Sequence, residues 1–232
     1  MKTSVVILCG GRSTRMGGQD KLFTILGNEP LFMHSVRTFA ASPIINEIVL
    51  VFNCDNVDRA KVELSKHSFR QNIKLVIGGD ERYISAKNGL AFVSDEAEIV
   101  LVHDGARPLV SVDVIERVWL GTREYGACIC AIQSKDTIKE RQANTVSKTF
   151  RRASLIAAQT PQGFKKDILE KAYTLNNSEI TDDAQIVEFA GFPVHIVDGD
   201  ECNLKITSGN DFILASIIYD ERKKINENRF GL

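Results

Sequence analysis

What most constrains this chain is a set of short apolar runs that do not alternate. They are Ser4–Cys9, "EIVLVF" at 47–52, "IKLVIGG" at 73–79, "EIVLVHD" at 98–104 and "ACICAI" at 127–132. A strand with one wet face alternates apolar and polar residues, whereas a near-continuous apolar run needs cover on both faces. Helical patterns fall between the runs. They span Pro30–Ala41, with Pro30 as the first helical residue and Leu31, Val36 and Phe39 on one side, then 56–67, Ser85–Val93 and 111–125. This alternation predicts an α/β fold, a mostly parallel twisted sheet flanked by helices.

The pattern changes at 133–157, which is polar and β-prone. It reads as two extended pieces around a turn near Gln142–Asn144, a β-arm projecting from the sheet. Beyond it the spacing predicts helices near 165–175 and 182–190, a strand at 193–198 and a last helix at 209–225. There is no internal repeat, low-complexity tract or flexible linker. The chain 1–232 therefore reads as a single domain with 133–157 as an extension.

Composition removes several functions. A formal net charge of -1 gives no bulk attraction to nucleic acid or to a membrane surface, so any phosphate site must be a local cluster. The run Val5–Cys9 is too short for a signal segment or a membrane span. The cysteines Cys9, Cys54, Cys128, Cys130 and Cys202 are odd in number and form no CxxC pair, which fits reduced thiols in a cytoplasm. His34, His67, His103 and His195 show no ligand spacing.

In open parallel sheets, ligands bind beyond the carboxyl ends of the strands. Four polar clusters fall at such ends: 10–21, 78–88, 104–107 and 202–207. In "GGRSTRMGGQDK", Gly10 and Gly11 let the backbone approach an anion, and Arg15 and Lys21 add positive charge. In "GGDERYISAKNGL", Arg82, Ser85 and Asn88 lie three apart and suit a base edge or a ribose. In "VHDGARP", Asp104 suits a metal or a ribose hydroxyl; it equally suits a turn cap with Arg107 as its partner.

These motifs, with "DTIK" at 136–139, "AAQTPQGF" at 157–164, "TDDA" at 181–184 and "NLKIT" at 203–207, resemble the 2-C-methyl-D-erythritol 4-phosphate cytidylyltransferases. The order matches and nearly the whole chain is covered. The resemblance implies a Rossmann-like nucleotidyltransferase fold whose β-arm exchanges between the two subunits of a homodimer. It implies that CTP and methylerythritol phosphate are joined with release of pyrophosphate, with Mg²⁺ carried mainly by the CTP phosphates and Asp104 as an optional ligand. By that likeness Cys9, Gly10 and Gly11 hold the triphosphate, and Arg15 and Lys21 neutralise it. Gly79, Asp80, Arg82 and Ser85, with Asp104 and Gly105, hold the nucleoside. Asp104, Arg107, Thr181 and Lys205 line the meeting point of the two substrates, with Arg15, Lys21 and Lys205 as the catalytic cations. Thr137 and Arg152 grip the acceptor phosphate from the neighbouring subunit.

Three departures stand out. Cys9 and Gly105 each occupy a place where the family favours alanine, and Arg15 and Lys21 are one residue closer than usual. The glycine loop also resembles molybdopterin-type guanylyltransferases, and ribitol 5-phosphate cytidylyltransferases share much of the "TPQ" region. Both remain alternatives at the level of sequence. The acceptor phosphate is already a nucleophile at neutral pH, so the chemistry asks for positioning and cationic stabilisation rather than a strong base.

Overall fold

A computed structural model describes residues 1–10, 21–175 and 180–230, with side chains to 225. In chain order the first elements are β1 (Thr3–Cys9), the two-residue strands β2 (Ile25–Leu26) and β3 (Glu29–Pro30), α1 (Leu31–Ala41), β4 (Glu47–Phe52) and α2 (Val57–Ser65). Then come β5 (Asn72–Ile77), α3 (Arg82–Ala91), β6 (Ile99–Asp104), α4 (Val112–Tyr125) and β7 (Ala127–Gln133). The remainder is β8 (Lys139–Gln142), β9 (Thr145–Thr149), β10 (Ile156–Lys165), α5 (Lys166–Thr174), α6 (Asp183–Phe189), β11 (His195–Asp198) and α7 (Gly209–Phe230).

The main sheet of the described residues has the order β11-β7-β10-β6-β1-β4-β5. Alternate side chains of each central strand serve opposite faces. Val5, Ile7, Ile48, Leu50 and Phe52 pack with α1, α4 and α7, while Val6, Val49 and Val51 pack with α3, α5 and α6. That two-sided burial is why these strands read as unbroken apolar runs. The register levels their carboxyl ends, since Leu8 is opposite both Val51 and Asp104, and Phe52 is opposite Ile77. The segments after β1, β5 and β6 therefore emerge on one edge.

The sequence reading is corrected in three places. Pro30 is the N-cap of α1 rather than its first residue. The helix expected from Ser85 begins three residues earlier, at Arg82, which puts Arg82 at a helix start beside the sheet edge. The sheet also contains a strand that the apolar pattern did not reveal. β10 lies between β6 and β7, antiparallel to both, with a register shift between Ala158 and Gln162 and a cis Thr160–Pro161 peptide. Its buried side chains include Gln159, Thr160 and Gln162, which are satisfied by hydrogen bonds rather than by apolar contact.

The arm is present as an antiparallel pair, β8 with β9, turning at Ala143 and Asn144. Every residue of both strands is exposed, and Ile138 and Val146 are large apolar residues on it. A 3₁₀ turn, Arg152–Ser154, leads back into β10.

Candidate active site

At the shared strand edge lies a cleft of about 310 Å³. It opens beside β1 and β6, where the chain has built outward in both directions from β1, the place where such sheets take ligands. Its wall comes from Leu8 and Gly10, Lys21 and Leu22, Gly79 to Arg82 with Ser85, Asp104 and Ala106, and Lys205 and Thr207. Residues from each of the four polar clusters thus meet in one cavity, the first cluster through Gly10 and Lys21.

On one side the Ser85 hydroxyl accepts from the Gly79 amide at 3.1 Å and lies 3.2 Å from the Gly79 carbonyl, which pins the turn after β5. A side chain at Gly79 would strike Ile84, so only glycine lets the start of α3 pack this closely on the turn. Asn88 faces away and donates to the Ile77 carbonyl at 3.1 Å. The Lys21 ammonium donates to the Ile206 carbonyl at 3.0 Å, tying the segment after the glycine loop to the one that carries Lys205.

The opposite side is organised by Asp104, which is 8% exposed. Its carboxylate meets Lys205 Nζ at 2.8 Å, Arg82 Nε at 3.5 Å and Arg107 Nε at 3.9 Å. Burial pushes the Asp104 carboxyl up, but Arg82, Lys205 and Arg107 outweigh it and hold it well below the usual carboxylate range. The Arg107 guanidinium also donates to the Asn203 carbonyl at 2.7 Å. Burial pushes Arg107 down, only partly offset by Asp104.

Beneath Asp104 sits His103, fully buried, its pKa pushed down to about 4 mainly by that burial. Its Nε2 lies 3.2 Å from the Arg107 carbonyl, which can only accept, so Nε2 carries the proton. Its Nδ1 then accepts from the Thr160 hydroxyl at 3.1 Å, and the Thr160 oxygen accepts the Asp104 amide at 3.0 Å. The Asn203 amide donates to the Thr160 carbonyl at 2.8 Å. The turn 104–107, the start of the "TPQ" segment and the "NLKIT" segment are thereby riveted together.

Other residues singled out by the sequence fall elsewhere. Gly11 and Arg15 lie outside the described residues. Thr181 is exposed, and both its amide and its hydroxyl donate to the Gln185 side chain, at 2.7 and 3.0 Å. The N-cap of α6 is Asp182, which accepts from the Gln185 amide at 2.9 Å. Thr137 precedes β8, and Arg152, in the 3₁₀ turn, donates to the Lys135 carbonyl at 3.2 Å; both stand apart from this chain's own cleft. The sequence reading passed over Asp183, which lies within "TDDA" at 181–184. It is fully buried and accepts from Arg82 at 2.6 Å across a separation of 101 residues, a pairing that leaves no local signal.

Cys9 and Gly105 are neighbours beneath the cleft wall. A Cβ at Gly105 would lie 2.6 Å from Cys9 Sγ and 3.2 Å from the Leu8 carbonyl. The two departures from the family pattern are therefore one packing exchange, in which the larger Cys9 takes the space of the missing methyl. Gly105→Ala is expected to destabilise the protein by about 1–3 kcal/mol through overpacking, and Cys9→Ala in the same chain to recover most of that. Thermal denaturation of both single variants and the double variant checks this, and additive losses would refute it.

A doubly covered α/β sheet with a cation-lined cleft at its switch point, and no dinucleotide glycine motif after β1, defines a nucleotidyltransferase of the Rossmann-like type. Residues 3–221 match the family described as 2-C-methyl-D-erythritol 4-phosphate cytidylyltransferase, and the chain belongs to it. A relative of that name from Alkaliphilus oremlandii is 40% identical over 229 residues, covering 96% of this chain and 97% of its own. A bifunctional enzyme of Desulfotalea psychrophila is 39% identical over 223 residues, and the match spans 95% of this chain but only 58% of that longer protein. Among solved structures, 4-diphosphocytidyl-2C-methyl-D-erythritol synthase from Anaerococcus prevotii superposes with a TM-score of 0.84 at 30% identity, covering 94% of this chain and 96% of that one.

Proposed function

We propose that this cleft joins CTP to 2-C-methyl-D-erythritol 4-phosphate, giving 4-diphosphocytidyl-2-C-methyl-D-erythritol and pyrophosphate in the non-mevalonate isoprenoid pathway. Family membership supports the reaction, and one observation carries the assignment of the site: Asp104 gathers Lys205, Arg82 and Arg107 in a cleft whose wall also holds Gly10, Lys21, Gly79 and Ser85. Cytosine and ribose lie along Gly79, Asp80 and Ser85, with Arg82 at the border. The triphosphate passes Gly10 and Lys21, and the family likeness assigns Gly11 and Arg15 to it as well. An oxygen of the acceptor phosphate attacks the α-phosphorus in line. The new P–O bond forms as the bond to the β-phosphate bridge breaks, and pyrophosphate leaves with that electron pair. No proton need be removed from the attacking oxygen, so Lys21 and Lys205 act by positioning and by stabilising the charge that builds.

Mg²⁺ belongs to this reading as a companion of CTP. Asp80, Glu81 and Asp104 are the acids of the cleft wall, and among the described residues no group of three or more candidate ligands could cage a metal. That suits an ion held chiefly by phosphate oxygens and water, with Asp104 the carboxylate nearest to it. When bound, it would neutralise triphosphate charge.

The arm supports a homodimer. Its strands make a two-stranded sheet of their own with every residue exposed, an arrangement that is marginal without a partner surface. Thr137 and Arg152 at its base act in the partner's cleft. No helix of the described residues is long and apolar enough to cross a membrane, and the cytoplasm is the proposed location.

The test is pyrophosphate release with Mg²⁺, pairing CTP or GTP with methylerythritol phosphate, ribitol 5-phosphate or no acceptor. Release only with CTP and methylerythritol phosphate is the expected result; release with ribitol 5-phosphate or GTP as the better substrate would overturn the assignment.

A further inference from the structure

Asp183 is a fully buried carboxylate on α6, outside the cleft wall. A buried charge with no role is a poor stabiliser, because apolar side chains of similar size serve the fold as well or better. Both of its oxygens are engaged. Oδ2 accepts from an Arg82 terminal nitrogen at 2.6 Å, and Oδ1 accepts from the Tyr173 hydroxyl at 2.6 Å. Tyr173, on α5, is itself buried, and its phenol is pushed up by burial and by Asp183, so it acts as a donor. From Asp183 the Arg82 guanidinium reaches forward into the cleft, where its Nε stands 3.5 Å from Asp104 Oδ1. The other oxygen of Asp104 holds Lys205 at 2.8 Å, with Arg107 Nε farther off at 3.9 Å. A chain of charged and hydrogen-bonded groups thus runs from the α5–α6 layer to the cleft: Tyr173, Asp183, Arg82, Asp104, Lys205.

We propose that Asp183 is a positioning residue, which holds Arg82 back so that one guanidinium spans two carboxylates and Lys205 keeps its place on Asp104. The planar fork of arginine makes this possible, since its separate donors face separate acceptors, whereas a lysine offers a single point charge. With the Asp183 charge gone, Arg82 has one anion left. It closes on Asp104 in a bidentate pair and displaces Lys205 from the oxygen it occupies. Lys205 then no longer meets the acceptor phosphate, although no residue touching substrate has been changed.

This inference rests on the cytidylyl-transfer reading above. Wild-type turnover of CTP with methylerythritol phosphate is therefore measured first, and its absence would remove both. With turnover established, kcat/KM for the acceptor is compared in Asp183→Asn, Arg82→Gln, the double variant and Arg82→Lys, each normalised to folded protein by circular dichroism. Asp183→Asn is expected to lose roughly 10- to 100-fold, as buried charge pairs do when one partner is removed. In the Arg82→Gln background the same change is expected to cost less than about twofold, because its effect passes through Arg82. Arg82→Lys is expected to lose at least about tenfold with the fold intact. Equal losses from Asp183→Asn in both backgrounds would overturn the proposal, and so would activity within twofold of wild type in either Asp183→Asn or Arg82→Lys. If Asp183→Asn alone does not fold, Arg82→Lys decides.

Discussion

Lys205→Ala is expected to lower kcat/KM by about 10²–10³-fold while barely moving the melting temperature. The two halves of this expectation have different causes. As a structural contact, Lys205 is dispensable. Its side chain is 43% exposed, and Asp104 keeps Arg82 and Arg107 when it is gone. A half-exposed ion pair is worth at most about 1 kcal/mol to the fold. On the proposed reaction it faces two anions that must come together, and removing a preorganised donor from such a site costs about 3–4 kcal/mol in the transition state. Lys205→Arg keeps the charge but widens it into a planar fork, and is expected to recover only part of the rate. Pyrophosphate release and thermal denaturation on the same preparations separate the two effects. Turnover within fivefold of wild type would remove Lys205 from the chemistry.

Phe32→Ala is expected to give the largest loss of stability among the changes considered, about 3–5 kcal/mol, or a melting temperature lower by roughly 10 °C. Phe32 is fully buried and is the centre of an aromatic trio. Its ring centroid lies 5.3 Å from that of Phe23 and 5.2 Å from that of Phe52, both edge to face, and Phe23 and Phe52 are 5.9 Å apart. Such geometry adds to simple burial. The trio also joins the core to the cleft, because Phe23 ends the 3₁₀ turn that begins at Lys21. A cavity at Phe32 loosens that turn and with it the reach of Lys21 to the Ile206 carbonyl. The surviving folded protein is therefore expected to turn over more slowly than wild type as well as melt earlier. A melting temperature within 2 °C of wild type would contradict this account.

Much of the site was legible because local signals and global fold agree there. Gly10, Gly79 and Asp104 each stand at the end of a largely apolar run, and a parallel sheet in level register must bring the ends of such runs together. β10 was hidden for the opposite reason. Its burial is satisfied by the hydrogen bonds of Gln159, Thr160 and Gln162, and hydrophobic periodicity is blind to a strand buried in that way. The pairing of Arg82 with Asp183, and the contact of Cys9 with Gly105, join residues far apart in sequence, so neither partner pointed to the other. Arg15 carries its role from the sequence alone, since it lies outside the described residues.

The feet of the arm are already neighbours. Gln133 pairs with Ile156 at the end of β7 and the start of β10, and the Ser134 amide donates to the Leu155 carbonyl at 3.2 Å. Everything between them is an excursion from a closed hairpin, so changing its length costs the sheet little more than the slow logarithm of loop closure. The appendage and the catalytic body are in this sense independent modules. One can lengthen or shorten while the other keeps its register, and so the appendage can diverge faster than the chemistry of the cleft.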